Sequence, residues 1–117
     1  MNPNPRETYR TGFIAFDTAL DLVHCLRLAV EQIAQHDRSL ADQIRRAASS
    51  ISLNIAEGRR RNGKDRLHLW RVAAGSADET RAALLVADGW GYLAAEQVST
   101  ALDLLDQLLA MLWRMTH

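Results

Sequence analysis

The chain has 117 residues, of which 48% are hydrophobic and 24% are charged, a composition typical of one globular domain and not of a disordered chain. Its 14 basic and 14 acidic residues give a formal net charge of zero, so the overall charge does not indicate a nucleic acid or a membrane as partner. A single cysteine, Cys25, excludes an intrachain disulfide and suits a reducing compartment. The first residues lack the apolar core of a signal peptide, and no run of about 18 apolar residues predicts a membrane span, so we expect a cytoplasmic protein with no membrane partner.

The spacing of apolar residues predicts an all-α domain. Pro3 and Pro5 are the only prolines, so no proline after them interrupts a long helix. Apolar residues recur at intervals of three and four rather than two, which is the helical period. We expect residues 1–12 to form a flexible N-terminal segment and residues 13–117 to form a helical bundle.

Two helices are predicted in the first half of the chain. The first covers about Phe13 to Gln35. The second covers about Leu40 to Gly58, with Ser39 as its N-cap and Asp42, three residues later, as the partner in a capping box. Gly58 is predicted to end the second helix, because glycine readily adopts the conformation that follows a helix C-terminus.

Two more helices are predicted in the second half. The third covers about Lys64 to Asp88, where the glycines of residues 89–91 end it. The fourth covers about Ala94 to Met115 and carries two apolar stripes, so it needs burial on two sides. One side can face its own bundle, and we expect the other to face a second subunit, because a large exposed apolar patch promotes aggregation. The predicted subunit interface consists of Ala101, Leu104, Leu108, Met111 and Met115. The alternative is that this stripe lies under the N-terminal segment of the same chain.

The predicted helices fit one architecture. Helices of about 20 residues joined by short loops pack as antiparallel neighbours, which gives an up-down-up-down four-helix bundle. Gly75 and Ser76 lie in the middle of the third helix, where small side chains allow two helices to approach closely at a cost of about 1 kcal/mol in helix propensity for the glycine.

Three stretches carry a resemblance to a known family. Residues 43–58 read QIRRAASSISLNIAEG, residues 74–79 read AGSADE, and residues 91–93 read GYL. They resemble the four-helix-bundle proteins encoded by intervening sequences in bacterial 23S ribosomal RNA genes, over nearly the whole chain. The family pattern has a proline where this chain has Ser52, so a bend in the second helix would have to come from serine hydroxyls that bond back to carbonyl groups.

The resemblance implies an antiparallel bundle that assembles into a homopentamer and whose cellular role is largely unknown. Related accessory proteins of diversity-generating retroelements resemble the same pentameric barrel, and they bind nucleic acid and a reverse transcriptase through basic surfaces. The resemblance implies no catalytic residue and no cofactor.

An arginine-rich cluster is the main functional candidate. Between residues 45 and 66, seven basic residues face only two acidic ones, and guanidinium groups grip phosphate with two donors at once. The cluster therefore suggests a phosphate-backbone contact without base specificity. The alternative is a solvated loop with ion pairs, which the balanced net charge favours, and without interleaved aromatic residues a base-stacking platform is not expected. The members of the arginine cluster are Arg45, Arg46, Arg59, Arg60, Arg61, Lys64 and Arg66.

The strongest motif also contains Asn54 and Glu57. The amide of Asn54 is expected to be partly buried and to fix the register between helices. Glu57 is expected to pair with Arg60 or Arg61. Both roles are structural, since a carboxylate without a paired acid, base or nucleophile is a weak sign of catalysis.

A metal site is the least favoured hypothesis. Asp21 with His24, and Asp65 with His68, each place a carboxylate and an imidazole three residues apart on a helix, which resembles the spacing in di-iron bundles. Those sites use glutamate rather than the shorter aspartate, so we expect surface histidines and no bound metal.

The sequence therefore predicts a non-catalytic, homo-oligomeric bundle that acts as a scaffold or adaptor and contacts RNA or another nucleic acid through the arginine cluster. The alternative is a protein-interaction module that partners a reverse transcriptase or another protein without contacting nucleic acid.

Overall fold

A computed structural model describes residues 10–117, and within that range it contains four helices and no strand. The helices are α1 (Ile14–His36), α2 (Arg38–Arg59), α3 (Gly63–Gly89) and α4 (Ala95–Thr116). The prediction of an all-α four-helix protein is confirmed, and each predicted boundary lies within two residues of the observed one. No helix in residues 10–117 has the length and apolar character needed to cross a membrane.

Contacts between the helix ends define an up-down-up-down order. Around the bundle, α1 packs on α2, α2 on α3, α3 on α4, and α4 back on α1. The ring of Phe13, just before α1, lies 6.4 Å from the ring of Trp70 in the first turns of α3. At the other end, His36 at the end of α1 stacks on Tyr92, between α3 and α4, with ring centroids 4.7 Å apart. The beginnings of α1 and α3 therefore lie together, as do the ends of α1 and α3.

One apolar core runs through the bundle. Large side chains from all four helices are buried in it, and alanines on α2 and α3 let these helices pack closely. Thr80 is also fully buried, and its hydroxyl donates to the carbonyl of Ser76 at 2.8 Å. Across residues 10–117, every buried side-chain nitrogen and oxygen has a hydrogen-bond partner. The polar side chains of the core therefore do not destabilise the fold through unpaired groups. The largest fully buried apolar side chains are Leu22, Ile33, Ile44, Ile51, Ile55, Leu84, Leu105, Leu108 and Leu112.

The two residues predicted to cap α2 were wrong, although the helix boundaries lie within two residues of the prediction. Asp37, not Ser39, caps the helix: its Oδ1 accepts the backbone N–H of Leu40 at 3.0 Å, and α2 begins at Arg38. A carboxylate at the N-cap also interacts favourably with the helix dipole, which explains why the cap lies two residues earlier than expected. Asp42 pairs with an arginine side chain instead of completing a capping box. Gly58 does not end α2, which continues to Arg59.

Asp17 ties the chain that precedes α1 to the bundle. Its side chain is buried and accepts hydrogen bonds from the backbone N–H and the hydroxyl of Thr11, at 2.9 and 3.0 Å, and from the N–H of Gly12 at 3.2 Å. Burial opposes ionisation, but these bonds and the charge of Arg10 outweigh it, so the pKa of Asp17 lies below its ordinary value of 3.8. The predicted flexible segment falls mostly on residues 1–9, outside the described part of the chain.

We expect Asp17→Asn to lower the free energy of unfolding at neutral pH by about 1–3 kcal/mol, because the amide has one accepting oxygen where the carboxylate has two. Since the folded-state pKa is lowered, the stabilisation by Asp17 is present above the unfolded-state pKa and is lost as pH falls through the folded-state pKa. Urea unfolding between pH 7 and pH 3 checks this. The natural chain should lose more stability than the variant below about pH 5, and parallel pH profiles would contradict the assignment.

Candidate nucleic-acid interface

The antiparallel order gathers cationic side chains at one end of the bundle. This end, called the basic pole here, consists of the start of α1, the end of α2, the start of α3 and the end of α4. It also carries four acidic residues: Asp17, Asp21, Glu57 and Asp65. The cationic residues of the basic pole are Arg10, Arg59, Arg60, Arg61, Lys64, Arg66 and Arg114.

The opposite end of the bundle has the opposite charge. The acidic pole, formed by the α1–α2 and α3–α4 connections with the adjoining turns, carries four acidic residues and the cation Arg38, and Arg45 pairs with one of these acids at the margin of the pole. A formal net charge of zero therefore conceals a separation of charge along the bundle axis. Since field strength depends on local charge, the neutral total does not argue against an anionic ligand at the basic pole. The acids of the acidic pole are Asp37, Asp42, Asp88 and Glu96.

The structure divides the predicted arginine cluster into two parts. Arg45 and Arg46 lie on α2 about 20 Å along the helix axis from Arg59, given a rise of about 1.5 Å per residue. Arg45 also pairs with Asp42, with Nη1 and Oδ1 3.2 Å apart. Arg45 and Arg46 therefore do not share a surface with the five cluster members at the basic pole.

Arg66 belongs to the scaffold of the basic pole. Its Nε donates to the carbonyl of Gly58 at 3.0 Å, and its Nη2 donates to the carbonyl of Arg59 at 2.9 Å. Its guanidinium also lies 5.3 Å from the ring centroid of Trp70. A cation that bonds the last carbonyls of a helix satisfies groups that lack partners within that helix. Arg66 therefore caps α2, and few of its N–H groups remain for a ligand.

Two further cations of the pole have partners on its own surface. Arg61 pairs with Glu57 through Nη2 and Oε1 at 2.7 Å, which confirms one of the two pairings expected for Glu57. The guanidinium of Arg59 lies 4.8 Å from the ring centroid of Phe13. Both arginines are exposed, so a phosphate can compete for them at modest cost.

Three cations of the basic pole form no ion pair, side-chain hydrogen bond or cation–π contact with any residue between 10 and 117: Arg60, Lys64 and Arg114. All three are exposed. Lys64 and Arg114 line two shallow depressions that meet at Met115. Sequence reasoning missed Arg114, because it lies 48 residues beyond the arginine cluster and only the antiparallel return of α4 brings it to this end.

The predicted subunit interface on α4 is only partly open to a second subunit. Ala101 and Leu108 are buried in the chain's own core, so their inclusion in the interface was wrong. Leu104, Met111 and Met115 are half-buried against the core. Because α4 packs on α1 as well as on α3, the second apolar stripe is largely covered within one chain. The sequence pattern therefore overestimates the apolar area that is exposed to a second subunit.

The carboxylate and imidazole pairs do not form a metal site. Asp21 and His24 lie on α1, whereas Asp65 and His68 lie on α3, and these two helices are diagonal across the bundle. Asp21 forms an ion pair with Arg10 at 3.1 Å. In the part of the chain that the structure describes, no three His, Cys, Asp or Glu side chains are grouped so as to hold a metal ion.

The family follows from a comparison of sequences. A family model described as 23S rRNA-intervening sequence protein matches residues 13–114. The chain belongs to this family. No protein of curated function matches this chain in sequence.

A solved structure supports the fold of this chain. The crystal structure of a protein of unknown function from the S23 ribosomal protein family of Bacteroides thetaiotaomicron VPI-5482, at 1.70 Å resolution, superposes with a TM-score of 0.79. The two sequences are 21% identical, and the match covers 87% of this chain and 97% of the other. At this identity the likeness shows the shared fold alone.

The last residue of the NIAEG stretch lies at a tight contact between α2 and α3. Gly58 is buried, and a Cβ at this position would lie 2.5 Å from Cδ1 of Trp70. The indole Nε1 of Trp70 donates to the carbonyl of Ile55 at 3.2 Å, so the ring both fills the space that glycine leaves and satisfies a carbonyl near the helix end. Gly58 is therefore required for packing and not for ending α2.

Asn54 acts on the same interface through a serine. Its Nδ2 donates to the carbonyl and to the hydroxyl of Ser50 at 2.8 and 3.0 Å, and Ser76 on α3 donates its hydroxyl to that of Ser50 at 2.8 Å. This polar chain couples α2 to α3, although Asn54 itself does not bridge the helices. Gly75 has no atom within 4 Å of a Cβ position, so it does not provide the close approach predicted for it.

A matched pair of glycine substitutions tests the packing role of Gly58. We expect Gly58→Ala to lower the free energy of unfolding by about 1–3 kcal/mol, because the methyl group displaces Trp70. Gly75→Ala should raise it by about 0.5–1 kcal/mol, because alanine is the better helix former and the site is open. Urea unfolding measures both. Equal effects of the same sign would show that helix propensity, not the Trp70 contact, decides the outcome at Gly58.

Proposed function

We propose that this protein is a non-catalytic homo-oligomer that binds the phosphate backbone of RNA or another nucleic acid at its basic pole. The observation that carries the proposal is the convergence of Arg60, Lys64 and Arg114, three exposed cations without ion pairs among residues 10–117, which come from the α2–α3 connection, the first turn of α3 and the last turn of α4. Such groups neutralise phosphates without losing existing partners. The proposal places this activity in the cytoplasm, in keeping with the single cysteine.

The shape of a ring would strengthen this binding. Subunits of a cyclic homo-oligomer that pack side by side point the same way, so every basic pole lies on one face of the ring and every acidic pole on the other. Several poles that contact one strand add their affinities through a high effective concentration. A weak contact per subunit is therefore enough for useful binding by a ring such as a pentamer.

The seam between α1 and α4 is the surface that we propose for self-association. Ile14 is 68% exposed and lies beside Met111 and Met115 in the same depression. Together with the half-exposed Leu104 on the same side of α4, these residues offer a second copy of the chain an apolar contact.

We expect Ile14→Glu to convert the oligomer to monomers, because it places a charge in the apolar seam. The monomer fold should be retained, since the side chain is exposed and a glutamate in the first turn of a helix is favourable. Light scattering with circular dichroism measures both. Leu28→Glu is the control, at 69% exposure and about 21 Å farther along α1. A monomeric natural chain, or dissociation by the Leu28 variant alone, would contradict the proposed seam.

Charge removal at the basic pole tests nucleic-acid binding. We expect a variant with Arg60, Lys64 and Arg114 changed to Gln to bind structured RNA at least about tenfold more weakly at low salt and to lower the slope of log affinity against log salt by about two to three. Filter binding at several salt concentrations measures both quantities.

The control for that experiment is a variant with Arg45 and Arg46 changed to Gln, which removes two cations from the middle of α2. Its affinity and salt slope should stay close to those of the natural chain. Equal losses in the two variants would contradict a site confined to the basic pole. If the natural chain does not bind RNA at low salt, the nucleic-acid proposal is wrong, and the protein-interaction hypothesis takes its place.

A further inference from the structure

We propose that Trp113 and His117 form a base-stacking platform beside the basic pole, so that the protein selects unpaired nucleotides over duplex. This inference rests on the proposed binding of nucleic acid at that pole. It reverses the expectation from sequence that no aromatic platform accompanies the arginine cluster, because the two rings come from the end of α4 rather than from the α2–α3 segment.

Trp113 is a large aromatic side chain with no place in the core. It is 62% exposed, whereas Trp70 is packed between α2 and α3. Tryptophan usually buries most of its ring, so an exposed indole beside cations is available for contact with another molecule. The neighbouring residue is Arg114, one of the three unpaired cations of the pole, so a phosphate contact and a ring contact lie within one turn of helix.

The indole is held in a defined orientation. The His117 ring lies parallel to it, with centroids 4.4 Å apart and an angle of 11° between the planes. Nδ1 of His117 lies 2.9 Å from the carbonyl oxygen of Trp113 and 3.2 Å from the hydroxyl oxygen of Thr116. The Thr116 hydroxyl in turn donates to the carbonyl of Leu112 at 2.7 Å. The two rings therefore form an ordered flat stack, which loses little conformational freedom when a third ring extends it.

A flat aromatic stack recognises bases by their faces, and only unpaired bases expose a face. In a duplex, each base is covered above and below by its neighbours, so an aromatic ring on a protein surface reaches the phosphates but not the base faces. Stacking on aromatic side chains is tolerant of base identity and contributes about a five- to hundredfold gain in affinity per base. The pole cations attract both forms of nucleic acid, and the stack favours the single-stranded form.

The acidic pole provides an internal control, because it carries a second exposed tryptophan among charges of the opposite sign. Trp90 is 70% exposed and stacks on Tyr92 with centroids 6.5 Å apart. Its surroundings include Asp88, which repels a phosphate backbone. Trp90 is therefore matched to Trp113 in exposure and also has a near-parallel neighbouring ring, although at a longer distance, and it differs in the charge around it.

The experiment compares Trp113→Leu and Trp90→Leu in the full chain. The probes are a polypyrimidine RNA of about 12 nucleotides, within the usual range of single-strand site sizes, and the same strand annealed to its complement. We expect Trp113→Leu to bind the single strand about five- to hundredfold more weakly and the duplex unchanged. Trp90→Leu should leave both affinities unchanged.

Tryptophan fluorescence gives a second readout. The single strand should quench the emission of the Trp90→Leu variant, which retains Trp113, and should quench Trp113→Leu much less, because a stacked base quenches only the ring that it covers. Duplex RNA should quench neither variant.

Three results would overturn the inference and leave the proposed function in place: equal losses of single-strand and duplex binding in Trp113→Leu, an equal loss of single-strand binding in Trp90→Leu, or no change in either variant. Dissociation of the Trp113→Leu oligomer in light scattering would also overturn it, because it would place the ring in a subunit contact. Failure of the natural chain to bind either RNA would instead refute the proposed function, and with it the platform.

Discussion

The corner between α2 and α3 is the contact on which the rest of the bundle depends. Gly58 lets the Trp70 ring lie against the last turn of α2, where its N–H bonds a backbone carbonyl. Arg66 bonds the last two carbonyls of α2, those of Gly58 and Arg59. A helix end left without such partners would expose polar groups to an apolar surface, so this corner fixes both the end of α2 and the position of α3.

This corner also determines which charges can serve a ligand. It occupies Arg66, and the adjoining contacts engage Arg59 with Phe13 and Arg61 with Glu57. The basic pole thus contains an inner cation, Arg66, that holds the fold, and an outer layer of exposed cations, some with surface partners and some without. Local sequence cannot separate these layers, since an arginine that caps a helix and one that faces solvent look the same in a run of basic residues.

The charge separation along the bundle follows from topology. The end of α2 and the start of α3 meet through a short loop, and the return of α4 adds Arg114 to the same end. The other two connections, together with the helical turns that adjoin them, carry carboxylates, among them Asp37, which caps α2. A chain of zero net charge thereby acquires two poles of opposite sign, and a partner responds to the nearer pole and not to the total.

The sequence by itself determined the number of helices, their boundaries to within two residues and their antiparallel order, because apolar period, absence of proline and loop length are local properties. The 16-residue stretch QIRRAASSISLNIAEG also sufficed for the family. Only the tertiary structure decided that Gly58 receives Trp70, that Ala101 and Leu108 are internal, and that Arg114 and Trp113 lie beside the arginine cluster. These facts depend on contacts between residues far apart in the chain, and a side chain's role is set by the partner that folding brings to it.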